Sequence, residues 1–284
     1  MSDWLAKFLA EERLPDDYGA FVERVARPMA DDLAARVPAG GLVLGVCGAQ
    51  GSGKSTLTAV LARLLELRGL RVASLSLDDL YLTHDERVAL GARVHPLLAT
   101  RGVPGTHDVA LGGRLLEGLR RPGRHVLPTF DKAADDRGEG RVFEGAADVV
   151  LFEGWCVGAR PQPPGDLTEP INSLERERDP DGAWRAYVNT ALAGDYQALF
   201  GGIGRLVLLQ APSFEAVLGW RLEQERKLRD RLVREGRGAG RAMSDAQVTA
   251  FIQHYERLTR WILAEMPGRA DAVVRLDEHR RPIG

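Results

Sequence analysis

Eight consecutive residues, Gly48-Ala49-Gln50-Gly51-Ser52-Gly53-Lys54-Ser55, match the spacing G-x-x-x-x-G-K-[ST] at every fixed position. Glycines let a loop turn its backbone N–H groups inward toward phosphate oxygens, and the positive end of a following helix adds to that field. In such a loop Lys54 meets the β- and γ-phosphates and Ser55 offers a hydroxyl to Mg²⁺, with Thr56 next in the same nucleotide-binding set. Two carboxylates extend the chemistry to phosphoryl transfer. Asp78 closes the apolar run 71–77, where a carboxylate can orient or deprotonate an acceptor hydroxyl. Glu153 closes the run 148–152, where a strand beside the loop can deliver a carboxylate to the metal or its water shell. Asp79 fits that chemistry or a solvated turn that caps a helix.

The elements needed to hold these groups are legible around them. Leu42-Val43-Leu44-Gly45-Val46-Cys47 reads as a buried strand leading into the loop, and Leu57, Leu61, Leu64 and Leu65 recur at helical spacing beyond it. Further strands are expected at 71–77, 148–155, 205–210 and 272–276. In parallel sheets ligands sit beyond the carboxyl ends of the strands, which gathers the loop, Asp78 and Glu153 at one edge. Lysine usage points the same way. Only four of the 38 basic residues are lysine (Lys7, Lys54, Lys132, Lys227), so a retained lysine marks a place where a compact ammonium is wanted, and Lys132 joins Lys54 as a candidate.

The chain has 284 residues, 44% hydrophobic and 27% charged, with a net charge of −2 and a pI near 6.3. That balance gives no global electrostatic case for nucleic acid or an anionic membrane, and makes a small molecule the default partner. No run reaches the ~18 apolar residues of a membrane span, and the N-terminal residues do not form a leader pattern, so a cytoplasmic protein is expected. Cys47 and Cys156 lack C-x-x-C spacing and are expected as buried thiols, with neither disulfide nor zinc. Composition is silent on oligomeric state.

Along the chain, residues 1–40 read as two amphipathic helices forming an N-terminal extension, followed by one domain over 41–284. The proline- and glycine-rich segment 84–108 reads as a shaped loop; Arg93, His95, Arg101 and His107 could bind an anionic acceptor or organise the loop. A hairpin with polar groups at its tip is expected over 126–143, and a long ordered loop over 157–181. A long helix from Ser213 carries Arg221, Arg226, Lys227, Arg229, Arg231 and Arg234 into Gly236-Arg237-Gly238-Ala239-Gly240-Arg241, which suits a lid closing arginines over phosphates or a solvated charged face. Ser244 and Gln247 form a capping box opening the last helix.

Six separated stretches together resemble the plant- and fungal-type D-glycerate 3-kinase family and its bacterial relatives: 48–55, Ser-Leu-Asp-Asp-Leu-Tyr-Leu-Thr at 76–83, Arg-Gly-Val-Pro-Gly-Thr-His-Asp at 101–108, Phe-Asp-Lys at 130–132, Phe-Glu-Gly-Trp-Cys-Val-Gly at 152–158 and His-Tyr-Glu-Arg-Leu-Thr at 254–259. More broadly the chain is similar to the uridine kinase, phosphoribulokinase and pantothenate kinase group. The resemblance implies an α/β P-loop kinase fold with a five-stranded parallel sheet, the phosphate-loop strand central, and transfer of phosphoryl from ATP with Mg²⁺ to a small acceptor, D-glycerate first. Asp78 and Tyr81 match the D-x-[FL]-Y element of the wider group, whose aspartate is the proposed base, and Glu153 matches its magnesium-associated glutamate. Arg93, Arg101, His107 and Lys132 are the candidates for the acceptor carboxylate. Another hydroxylated acceptor (pantothenate, a nucleoside, a sugar) satisfies the same residues. An acceptor-independent nucleotide switch remains the alternative from another class, against which no N-K-x-D guanine-reading element occurs.

Overall fold

A computed structural model of the chain describes residues 3–12, 14–15, 17–234 and 242–283. Its centre is a five-stranded sheet whose strands, in chain order, are β1 (Leu42–Gly48), β2 (Val72–Ser76), β3 (Val149–Gly154), β4 (Arg205–Gln210) and β5 (Ala272–Arg275). All pairings are parallel and the spatial order is β2-β3-β1-β4-β5, which makes the phosphate-loop strand central. Burial explains the order. Every residue of β1 is buried, as are Val149–Phe152 of β3 and Leu206–Leu209 of β4, because parallel strands inside a sheet are covered on both faces. β2 instead alternates, with Ala73 and Leu75 buried and their neighbours half-buried, as an edge strand should.

The helix Lys54–Glu66 buries Leu57, Val60, Leu61, Leu64 and Leu65 completely, so its apolar stripe is core from end to end. The N-terminal helices, Asp3–Glu11 and the run Tyr18–Arg36 with a π-helical turn over Val22–Ala26, place Leu5, Val22, Ala26 and Leu33 in the same core. A smaller cluster of Leu90, Leu97, Leu98, Val103 and Trp184 supports the segment between β2 and β3.

Three expectations change in form. Residues 84–93 are a helix, His84–Arg93, followed by a 3-10 turn at Pro96–Ala99; the segment is not wholly loop. A capping box starts the helix, Thr83 Oγ1 accepting from Glu86 N and the Glu86 carboxylate accepting from Thr83 N. The segment 157–181 likewise contains a helix, Ser173–Arg178, capped by Asn172. The hairpin resolves into two antiparallel ladders, Arg124–Leu127 with Arg141–Glu144 and Phe130–Asp131 with Asp136–Arg137. The lid expectation on residues 236–241 lies outside the described residues. On the helix Phe214–Arg234, Arg221 pairs with Glu225, Lys227 with Glu223, and Arg226 and Arg229 with Asp245.

Candidate active site

The phosphate loop leaves β1 at Gly48 and enters the helix through Gly53, a left-handed residue (φ 87°) that caps the helix without a side-chain bond. The first-turn N–H groups, which have no intrahelical acceptor, therefore stay available to an anion at the positive end of the helix dipole. Gly51 is also left-handed (φ 77°) and lies against the next layer: a β-carbon there would come to 2.9 Å from Trp220 Cβ. Arg280 braces the loop from behind. Its Nε donates to Gly51 O at 2.8 Å, its Nη2 donates to Glu223 Oε2 at 2.7 Å, and its guanidinium lies 5.5 Å from the Trp220 ring centre.

Strand register brings Glu153 to the loop, since β3 sets it opposite Val46 on one side and Ser76 on the other. Ser55 Oγ donates to Glu153 Oε1 at 3.0 Å, and Lys54 Nζ lies 3.8 Å from Glu153 Oε2. Gln50 Oε1, Ser52 Oγ and Glu153 Oε2 are buried with no hydrogen-bond partner among the described residues, a state that buried polar atoms usually avoid unless a ligand completes it. The adjacent hydroxyl and carboxylate fit Mg²⁺, which takes one or two protein oxygens and keeps water and phosphate for the rest. Among the described residues no group of three or more His, Cys, Asp or Glu could hold a metal on protein ligands alone.

Asp78 stands in a 3-10 turn, Leu77–Leu80, at the carboxyl end of β2, with Ser76 Oγ accepting from its N–H. Tyr81 OH donates to Asp78 Oδ1 at 3.0 Å and Lys132 Nζ donates to Asp78 Oδ2 at 2.7 Å. Burial alone would raise the Asp78 pKa; the ammonium groups of Lys132 and Lys54 outweigh it and hold the carboxyl at about 2. Tyr81 stacks on His107 (ring centres 4.5 Å) and meets the Phe130 edge at 5.1 Å. Asp79 turns away from this group, accepting from Phe130 N at 3.2 Å, so it anchors the hairpin.

The other candidates divide. His107 lies against Tyr81, with Nδ1 2.5 Å from Tyr196 OH and Nε2 buried without a hydrogen-bond partner among the described residues. Arg101 is engaged by Asp135, a left-handed residue (φ 56°) whose carboxylate also takes the exposed His84 and the fully buried Arg87. His95 organises its own turn, Nδ1 accepting from Leu97 N. Arg93 is exposed at the far end of its helix and makes no side-chain hydrogen bond or ion pair among the described residues. Sequence reasoning missed Arg87, Asp135, Tyr196 and Arg280 as parts of the site. The Thr83-x-x-Glu86 box signalled the helix that carries Arg87; nothing local marked the others.

Burial pushes the His107 pKa down to about 3, against an ordinary value near 6.5. Between those values the unfolded chain binds a proton that the folded one does not. Stability should therefore fall as pH is lowered below 6.5, by up to about 1.4 kcal/mol per unit from this group. Urea unfolding between pH 8 and 5 reads the slope, and His107→Gln should flatten it.

A phosphate loop at the centre of a parallel sheet, a carboxylate beside its serine and a second carboxylate at the next strand end are the parts of a P-loop kinase acting on a small molecule. No family model matches the chain. It is 34% identical over 258 residues to the uncharacterized kinase mug58 of Schizosaccharomyces pombe, covering 85% of this chain and 90% of that protein. It is 30% identical to the chloroplastic D-glycerate 3-kinase of Arabidopsis thaliana over 85% of this chain but only 54% of that enzyme, about half its length. Among solved structures, a D-glycerate 3-kinase from Cryptococcus neoformans var. grubii superposes with a TM-score of 0.76 at 30% identity, over 93% of this chain and 98% of that one. The chain belongs to the P-loop kinase superfamily related to the D-glycerate 3-kinases, and is a small-molecule kinase. No described helix is long and apolar enough to cross a membrane.

Proposed function

We propose that the protein transfers the γ-phosphoryl group of ATP to a hydroxyl of D-glycerate, giving 3-phosphoglycerate and ADP. One observation carries the choice of acceptor: a carboxylate and an ammonium, Asp78 Oδ2 and Lys132 Nζ, lie 2.7 Å apart at the open end of β2. The first suits a hydroxyl and the second a carboxylate, the two groups of a small hydroxy acid. The likeness to D-glycerate 3-kinases of Cryptococcus neoformans and Arabidopsis thaliana supports the same acceptor.

Lys54 and the first-turn N–H groups of its helix hold the β- and γ-phosphates. Ser55 and Glu153 would hold Mg²⁺, which would supply neutralisation of the phosphate charge. Asp78 orients the acceptor hydroxyl and takes its proton while Tyr81 OH fixes the other carboxylate oxygen. With Arg101 committed to Asp135 and Arg93 exposed at the far end of its helix, Lys132 is, among the described candidates, the cation beside Asp78 for the acceptor carboxylate, and Tyr81 and His107 form the adjoining wall.

Arg280→Ala removes the brace on Gly51 O. The KM for ATP should rise about tenfold while the acceptor KM stays unchanged, as initial-rate kinetics would show, and Arg280→Lys should recover only part of the loss. The reading itself is tested by ADP release from the purified protein with Mg·ATP and a panel of acceptors: D-glycerate, L-glycerate, glycerol, pantothenate, uridine and fructose. D-glycerate should give the highest kcat/KM. A larger value for any other member discards the acceptor and keeps the kinase.

A further inference from the structure

Both oxygens of Asp78 are engaged, Oδ1 by Tyr81 OH at 3.0 Å and Oδ2 by Lys132 Nζ at 2.7 Å. Each oxygen keeps a second lone pair, but an ammonium held on Oδ2 opposes any proton arriving there. For Asp78 to act on a hydroxyl, one partner has to leave. Tyr81 is fixed, being 3% exposed and packed between His107 and Phe130. The Lys132 side chain is 62% exposed and its ammonium makes no other hydrogen bond or ion pair among the described residues.

Around that side chain the backbone is pinned. Asp131 Oδ1 accepts from Ala133 N at 2.8 Å and Ala134 N at 3.2 Å, folding the turn on itself. Three residues beyond Lys132, Asp135 is tied to buried Arg87 and to Arg101, whose Nη2 also reaches Lys132 O at 3.4 Å. The turn presents one movable group, a four-carbon stem with an ammonium at its end.

What draws an ammonium off a carboxylate is a second anion. We propose that Lys132 senses the acceptor: the carboxylate of the incoming hydroxy acid takes the ammonium, and the same movement opens Asp78 Oδ2 to the acceptor hydroxyl. The proposal rests on the kinase reading above and adds to it a reason for preferring anionic acceptors. The hydroxyl oxygen bonds to the γ-phosphorus, its proton passes to Asp78 Oδ2, and the bond from the γ-phosphorus to the bridging oxygen breaks with its electron pair leaving on ADP. Lys132 stays protonated throughout. A neutral alcohol brings no anion and leaves the ammonium on the base.

The test compares kcat/KM for D-glycerate and for D-glyceramide, its neutral amide of nearly the same shape, in wild type, Lys132→Met and Lys132→Arg. Thermal midpoints and ATP affinity are measured alongside to separate loss of fold from loss of function. Wild type should prefer D-glycerate by on the order of 10²-fold. Lys132→Met should bring the ratio to within about threefold of unity, by loss on D-glycerate with D-glyceramide retained or improved, and Lys132→Arg should restore part of the preference. A Lys132→Met protein that keeps the wild-type ratio overturns the proposal. So does equal loss on both acceptors, which assigns the lysine to the nucleotide phosphates. If wild type phosphorylates only neutral hydroxyls, the proposal falls and the kinase reading stands; if it phosphorylates no acceptor at all, both fall.

Discussion

Asp78→Asn should lower kcat for acceptor phosphorylation by at least ~10²-fold while leaving the KM for ATP close to wild type. Asparagine keeps the shape and can still accept from Tyr81 OH, so the turn Leu77–Leu80 and the contacts of Tyr81 with His107 and Phe130 should persist. What disappears is the acidic side chain held between Tyr81 and Lys132 at the end of β2, and with it the proposed acceptor for the hydroxyl proton. Lys132 loses its partner at little structural cost, because its side chain is largely exposed and water can solvate the freed ammonium. Pre-steady-state ADP formation measures the step directly. Near-normal turnover in this variant would mean that another group takes the proton and that Asp78 only shapes the pocket.

The second large effect is expected at Lys54. Lys54→Met should reduce kcat by at least ~10²-fold and weaken ATP as well, because in the proposed reaction the lysine acts on phosphate oxygens in both ground and transition states. Lys54→Arg should rescue little. The position opens a helix directly after left-handed Gly53, with Ser55 and Glu153 alongside, and a planar five-donor fork does not replace a point ammonium 3.8 Å from Glu153 Oε2. Equilibrium ATP binding and kcat are to be measured together. A variant that binds ATP normally and turns over normally would remove Lys54 from the account.

The parts of the site legible in sequence are those whose chemistry is local. The phosphate loop declares itself through eight adjacent residues, and Asp78 and Glu153 through their position just after apolar runs. The sheet was legible for the same reason: doubly buried parallel strands are continuous apolar runs, as in Val149–Phe152. The helix His84–Arg93 was masked because its most buried long side chain is Arg87, which breaks the apolar period while satisfying itself on Leu82 O, Ala99 O and Asp135. Its one local sign, Thr83 and Glu86, is short. Arg101 looked like an acceptor ligand because its partner Asp135 lies 34 residues away on another element, and no periodicity reports such a pairing. The tie from Arg280 to Gly51 spans 229 residues and is likewise invisible until the chain is folded.

The central claim, phosphoryl transfer from ATP to a carboxylate-bearing alcohol through Lys54 and Asp78, is tested most directly by ³¹P NMR of the purified protein incubated with Mg·ATP and D-glycerate. The account expects one new phosphomonoester resonance matching 3-phosphoglycerate, growing in step with ADP and absent when Asp78 is replaced by asparagine. ADP and inorganic phosphate appearing at the same rate with and without D-glycerate, and no phosphomonoester, would contradict it.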